Sequence, residues 1–361
     1  MSVIETLFAK AREKGASDIH LSSRRAPIIR LHGTMTYLTT EEDILKDARE
    51  ILFETLSAEQ QEDFKNTQDI DFCYQASDSQ RYRGNMFCHY HGDIGAVFRV
   101  IPDTIPALES LGLPPASLNF TKLHQGLVLV TGPMGSGKTT TLAALIDRIN
   151  ATRADHILTI EDPVEYIHHN KRGIVNQREV RIHTRSYSSA LRAGLREDPD
   201  VIMVGELRDL ETMSLALTAA ETGHLVFGTL HTTDAISTVN RIIDVFPAAE
   251  QAKIRTMLAE SLQGVISQQL IPRKDGKGMV LAAELLIMTS ALSSLVRDNK
   301  TFQIPSIIQT GKTKYGMCLL DDSIMELLQA GKISGEQAYA FASDKNLFRQ
   351  HLTGAQNNGK A

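Results

Sequence analysis

The sequence predicts an α/β protein whose main domain is built on a largely parallel sheet and is preceded by a smaller α+β domain. Three observations predict this. A continuous apolar run at 127–130 and three more buried-type runs at 157–160, 201–204 and 225–230 read as strands buried on both faces. Helical stretches separate them, which is the alternation that produces parallel sheets. Residues 1–100 instead mix helical stretches with short alternating runs, the pattern of an antiparallel sheet with one covered face.

In chain order, residues 3–14 read as an amphipathic helix. Ile19–Leu21 and Ile28–Leu31 read as strands, with Gly33 as a turn. Residues 41–65 read as helical and acidic. Phe72–Tyr74, Tyr82–His89 and Gly95–Val100 alternate as antiparallel strands. Residues 101–115 hold Pro102, Pro106, Pro114, Pro115 and Gly112, so they read as a linker. Residues 116–345 then form the main domain. A helix after the first buried strand places Leu142, Leu145, Ile146 and Ile149 on one face. From about residue 250 the chain reads as mostly helical, over 250–270, 289–298, 320–330 and 335–343. Residues 346–361 end in a polar run, GAQNNGKA, and read as a tail without structure.

The 361 residues exceed one ordinary core, in keeping with two domains. The 42% hydrophobic and 22% charged fractions are those of a soluble globular chain, and no run is long and apolar enough to span a membrane. The N-terminus is not a secretory signal, which places the protein by default in the cytoplasm. Cys73, Cys88 and Cys318 are isolated from one another and read as reduced thiols, not as a zinc set. A net charge of −5 argues against a dedicated nucleic-acid binder.

The chemistry starts at Gly132-Pro133-Met134-Gly135-Ser136-Gly137-Lys138-Thr139, followed by Thr140. A polyphosphate is bulky and strongly negative, so backbone N–H groups must approach it without intervening side chains. Gly132, Gly135 and Gly137 let the loop curl, and Ser136 completes it. The next helix offers its positive N-terminal end. Lys138 reaches the β- and γ-phosphates, and the Thr139 hydroxyl is placed to ligate Mg²⁺. A buried strand before and an amphipathic helix after are the context this motif requires. ATP with Mg²⁺ is the expected ligand.

Two acidic clusters stand at the C-terminal ends of apolar strands, where an open α/β sheet binds ligands. In Ile160-Glu161-Asp162-Pro163-Val164-Glu165-Tyr166, Glu165 is expected to polarise the attacking water. Glu161 and Asp162 would hold metal-bound waters or the loop itself. In Asp200–Glu206, four apolar residues lead to Gly205-Glu206, and Glu206 is expected to face the Mg²⁺ shell. The fourth strand ends in Thr229-Leu230-His231-Thr232, where His231 can sense the γ-phosphate. His224 precedes the same strand and would serve the nucleotide, the opposite end or a subunit contact. Phosphoryl transfer also benefits from a guanidinium at the developing charge. Candidates are Arg81, Arg83 and Arg99 on N-terminal strands and Arg192, Arg196 and Arg208 in the main domain. Arg81 and Arg83 share a strand face.

The segments GPMGSGKTT, LTIEDPVEY, ALRAGLREDPDVIMVGELRD, ETGHLVFGTLHTTDA and ASDIHL together resemble the secretion-ATPase family of type II and type IV pilus systems, and within it the twitching-motility retraction ATPases. The resemblance covers about residues 3–345. It implies a PAS-like N-terminal domain, a RecA-like ATPase domain and a homo-hexameric ring. It maps a catalytic glutamate onto Glu165, the Walker B glutamate onto Glu206 and a His box onto a stretch including His224 and His231. It brings Arg81, Arg83 and Arg99 toward the phosphates. It further implies a cytoplasmic motor at the inner face of the cytoplasmic membrane, without membrane insertion, acting on a pilus platform protein. The chain lacks the long N-terminal extension and tetra-cysteine element typical of assembly and secretion members. An assembly ATPase of the same family and a RecA-type nucleic-acid translocase are the alternatives.

Overall fold

A capping box starts the first element. Ser2 accepts from the Glu5 amide, and Glu5 reaches back to the Ser2 amide, which satisfies the first donors of helix α1 (Val3–Glu13). Ile4, Phe8 and Ala11 form its buried stripe. In this computed structural model, residues 2–31, 33–40, 45, 48–101 and 104–352 are described, and the chain divides into two compact units. The first comprises 1–104 together with 163–167; the second comprises 105–162 and 168–361.

In the first unit, α1 is followed by β1 (Asp18–Ser22), β2 (Ile28–Leu31), β3 (Thr34–Tyr37), α2 (Arg49–Phe53), α3 (Ala58–Thr67), β4 (Asp69–Gln75), β5 (Arg81–Cys88) and β6 (Ile94–Val100). Among the described residues the six strands form one antiparallel sheet in the order β3-β2-β1-β6-β5-β4. The core lies between one sheet face and the helices. Phe8 stacks on Tyr82 at 4.2 Å between ring centroids and meets Phe98 edge-on at 4.8 Å. The α+β expectation matches this arrangement. The helix expected over 41–65 is two short helices broken by Glu54, Thr55, Leu56 and Ser57, and residues 41–44, 46 and 47 lie outside the described residues.

The second unit holds β7 (Gly126–Thr131), α4 (Lys138–Thr152), β8 (His156–Glu161), β9 (Ile174–Glu179), α5 (Tyr187–Gly194), β10 (Val201–Val204), α6 (Leu210–Glu221), β11 (Leu225–Leu230), α7 (Ala235–Asp244), α8 (Gln251–Ser261), β12 (Leu262–Pro272), β13 (Met279–Ile287), α9 (Ser290–Arg297), α10 (Ile304–Tyr315), α11 (Leu320–Gln329) and α12 (Gly335–Phe341). Its sheet runs β13-β12-β7-β11-β10-β8-β9, parallel throughout except for the antiparallel edge strand β13. Strands β7, β10 and β11 are buried along their whole length, which is why they read as predominantly apolar runs.

Three expectations need correction. Residues 262–270 form strand β12, not the continuation of a helix, and β13 follows in a stretch to which no strand was assigned. Helix α8 stops at Ser261, and Gly264 then lets the backbone pass so close to Phe120 that an added Cβ would sit 2.2 Å from its ring. The stretch read as a linker is anchored in its later part. Leu108 is buried with Phe120 in the core of the second unit, while residues 102 and 103 lie outside the described residues. The expected tail begins with a 3-10 helix, Lys345–His351, whose Phe348 is fully buried beside Ile271 and Ile324; residues 353–361 lie outside the described residues.

Candidate functional site

The C-terminal ends of β7, β11 and β10 stand side by side in the sheet, and each supplies part of one polar cluster. Strand β7 runs into the glycine loop. Gly132, Gly135 and Gly137 all have positive φ, at +144°, +76° and +88°, conformations that side chains resist. At Gly132 there is no room either: a Cβ would meet the Gln268 carbonyl oxygen at 2.2 Å. Gly137 caps α4 with no side-chain acceptor, so the first N–H groups of the helix are left for a ligand. The Ser136 hydroxyl is buried without a hydrogen-bond partner. Orphan amides, a buried free hydroxyl and a cradle too tight for a Cβ fit an anion of phosphate type.

Lys138 opens α4. Its Nζ donates to the carbonyls of Gly132 (2.9 Å) and Pro133 (3.0 Å), and burial lowers its pKa against the raising effect of Glu206. Its third proton points to His231 Nδ1 at 3.4 Å. An ammonium only donates, so Nδ1 accepts and the ring proton sits on Nε2. That nitrogen lies 3.1 Å from Glu206 Oε1. The other carboxylate oxygen of Glu206 pairs with Arg208 at 2.8 Å. Burial raises the Glu206 pKa, but Arg208, His231 and Lys138 outweigh it, and the net direction is down. Glu206 is thus a carboxylate anion held by two donors, Arg208 and His231, with the Lys138 charge nearby. Thr139 and Thr140 follow Lys138 in the first turn of α4, both half-buried.

Gly205 explains how Glu206 gets there. Its amide donates to the Ile160 carbonyl (2.8 Å), and its carbonyl accepts from the Thr229 hydroxyl (2.5 Å). A side chain at this position would press on the Tyr187 hydroxyl and the Ile160 carbonyl.

The first acidic cluster divides. Glu161 is 5% exposed and accepts from Thr159 Oγ1 (2.8 Å) and Gln177 Nε2 (3.1 Å). Asp162 faces Arg181 at 3.7 Å. The next five residues, 163–167, pack with the first unit. There Arg81 forks onto the carbonyls of Val164 (2.6 Å) and Glu165 (2.9 Å), and Arg83 lies 3.5 Å from the Glu165 carboxylate. Arg99 is bound elsewhere, to the buried Asp18 at 2.8 Å. Arg81 and Arg83 therefore hold the backbone and side chain of Glu165 in this structure.

His224 is not at the loop. It precedes β11 at the end of the sheet opposite the glycine loop, with Nδ1 3.1 Å from the Ala219 carbonyl; its own carbonyl accepts from Gly126 at the start of β7. A strand of six residues, about 20 Å, separates it from a nucleotide bound there within one chain. Of the other arginines, Arg192 pairs with Glu211 and Arg196 is exposed on the surface. Sequence reasoning missed Ser267 and Gln268 on β12, both buried under the glycine loop, because that strand was read as helix. Among the described residues no group of three or more His, Cys, Asp or Glu could hold a metal ion, so a divalent cation here depends on few protein ligands.

The chain resembles known proteins along most of its length. Residues 1–313 match the family described as type II/IV secretion system protein. The chain is 48% identical to the type IV pilus retraction ATPase PilT of Pseudomonas aeruginosa, over 93% of this chain and 96% of that protein. It is also 48% identical to the twitching motility protein of Neisseria gonorrhoeae, over 86% and 83% of the two chains. The crystal structure of the pilus retraction motor PilT with bound ADP superposes with a TM-score of 0.88 at 43% identity, covering 97% of this chain and 99% of that one.

Proposed function

The chain belongs to the type II/IV secretion system protein family, and we propose on that premise that it is an ATP-hydrolysing motor driving type IV pilus retraction. The observation that carries the proposal is the 48% identity to a retraction ATPase along nearly the full length of both proteins. The chain Lys138–His231–Glu206 at the glycine loop gives it a chemical basis.

In this reading the loop amides of 132–137 and the α4 N-terminus receive the phosphates of ATP. Lys138 leaves the Gly132 and Pro133 carbonyls for the β- and γ-phosphates. His231, carrying its proton on Nε2, couples Lys138 to Glu206 and reports whether a γ-phosphate is present. Thr139, and Glu206 through water, would hold Mg²⁺, which would neutralise phosphate charge. Glu165 is the residue assigned to orient the attacking water, and Arg81 sets its backbone. Glu161, buried and accepting two hydrogen bonds, supports the loop. Arg83 and Arg99 supply guanidinium groups to phosphates in the assembled ring.

The remaining assignments rest on the family: a homo-hexamer, a platform protein as mechanical partner, and a site of action at the cytoplasmic face of the membrane. No helix among the described residues is long and apolar enough to cross a membrane. Loss of the gene tests the direction of work. Cells that accumulate surface pili but do not twitch support retraction; cells without pili refute it in favour of assembly. ATP turnover by the purified protein that survives both Lys138→Ala and Glu206→Ala would refute the site itself.

A further inference from the structure

Beneath the glycine loop lies a residue whose side chain hydrogen-bonds both the loop and the first turn of α4 and whose backbone crowds the loop's first glycine. Gln268, on β12, is 1% exposed. Its Nε2 donates to the Ser136 carbonyl at 2.7 Å, and its Oε1 accepts from the Thr141 hydroxyl at 3.0 Å. Ser136 and Thr141 are themselves each 2% exposed. The Gln268 backbone oxygen fills the space that a Cβ on Gly132 would need, and Nε2 lies 3.3 Å from where a Cβ on Gly137 would stand. One residue thus braces both ends of the glycine run and the first turn of α4. Ser267, beside it, accepts from Thr131 at 2.8 Å and secures the strand end that enters the loop.

We propose that Gln268 is the positioning residue of the phosphate loop: its amide holds the loop in the curl that aims the amides of 132–137 at phosphate before nucleotide arrives. This rests on the reading of that loop as the nucleotide site. The chemistry selects the residue type. A carbonyl needs a donor and a hydroxyl proton needs an acceptor, and a primary amide supplies both from one rigid plane. Glutamate would set a carboxylate against the Ser136 carbonyl, and methionine would satisfy neither group. The Ser136 carbonyl would then be buried without its donor, and the loop would sample other conformations. Nucleotide would have to order the loop on binding, which lowers affinity for ATP and ADP alike. Because the loop grips phosphate in ground and transition states equally, the effect falls on KM and hardly on kcat.

The test compares Gln268→Met, Gln268→Glu and Thr141→Val with the wild-type full chain, by steady-state ATP hydrolysis and by equilibrium binding of ADP. Gln268→Met and Gln268→Glu are expected to raise the ATP KM and the ADP Kd by about tenfold, with kcat within about twofold; Thr141→Val, which cuts one arm, raises both by about threefold. Wild-type KM and ADP affinity in Gln268→Met, or a fall in kcat with KM unmoved, would overturn the proposal. Should the Gln268 variants not fold, Thr141→Val decides alone, and an unchanged KM there overturns it. Lys138→Ala separates the two levels. Undiminished ADP affinity in that variant sinks the nucleotide reading itself, whereas lost affinity there beside wild-type affinity in Gln268→Met sinks only the role of Gln268.

Discussion

The Nε2 of His231 lies 3.1 Å from Oε1 of Glu206, and this contact joins the first residue past β11 to the second residue past β10. Since Lys138 occupies the other ring nitrogen, the imidazole links the lysine proposed to bind phosphate to the glutamate just past β10. In the proposed function, a phosphate that drew Lys138 away would free Nδ1 and change what Glu206 feels.

Removing members of this chain has graded effects. Lys138→Ala and Glu206→Gln are expected to lower ATP turnover by roughly 100-fold or more, as loss of a charged group at a phosphoryl centre does. His231→Ala, which removes a relay and not a charge, is expected to cost about tenfold. Coupled-assay rates on the three purified variants check the order; a His231 variant as inactive as the Lys138 variant would contradict it.

Arg81 acts through geometry. Its fork spans two successive carbonyls, which one ammonium cannot do at the same spacing. Arg81→Lys is therefore expected to lower kcat by about tenfold while leaving ADP affinity within about twofold. Single-turnover hydrolysis alongside ADP titration reads the two effects separately.

Glu284, on β13, gives the fold a pH signature. It is buried, and that burial pushes its pKa up to about 7, although the Ala235 amide at 2.7 Å pulls the other way. A carboxyl with a raised folded pKa binds more protons folded than unfolded between about pH 4.5 and 7, so its contribution to stability declines as pH rises through that window. Glu284→Gln removes the titration. The drop in stability between pH 5 and pH 8 is expected to be smaller in the variant by roughly 2–4 kcal/mol, measured by urea unfolding at both pH values. Equal slopes would contradict the assignment.

Gly264 is fixed by space. A Cβ there would lie 2.2 Å from the Phe120 ring and 2.7 Å from the Leu286 carbonyl. Gly264→Ala is expected to destabilise the protein by about 1–3 kcal/mol through overpacking, seen as a lowered Tm. Phe120→Leu in the same chain should return part of the loss.

Much of this was legible in the residues themselves. Val201–Val204 has nothing polar to disguise it, Leu225–Leu230 only Thr229, and the strand bounds match both runs to the residue. The glycine loop, Glu206 and His231 were legible because each follows such a run directly. Residues 262–270 were not. Leu262, Val265 and Ile266 also fit a helical stripe, and Ser267 and Gln268 look like solvent-facing positions until the loop above them is seen. The engagement of Arg81 with Val164 and Glu165 was illegible for a different reason. The partners are more than 80 positions apart, and no local pattern couples a strand arginine to two backbone carbonyls. For His224 sequence proximity to His231 was misleading, because six strand residues carry the two to opposite ends of the sheet.

Strand β12 carries a last consequence. It lines the open side of β7, so a fragment cut after Ser261 would retain every recognisable nucleotide motif and still be crippled. The bare flank of β7 would offer its unpaired amides to any passing chain, and the fragment would clump before it could bind ATP. Motif completeness and competence are separate properties here, and the keystone between them is a strand that bears no signature of its own.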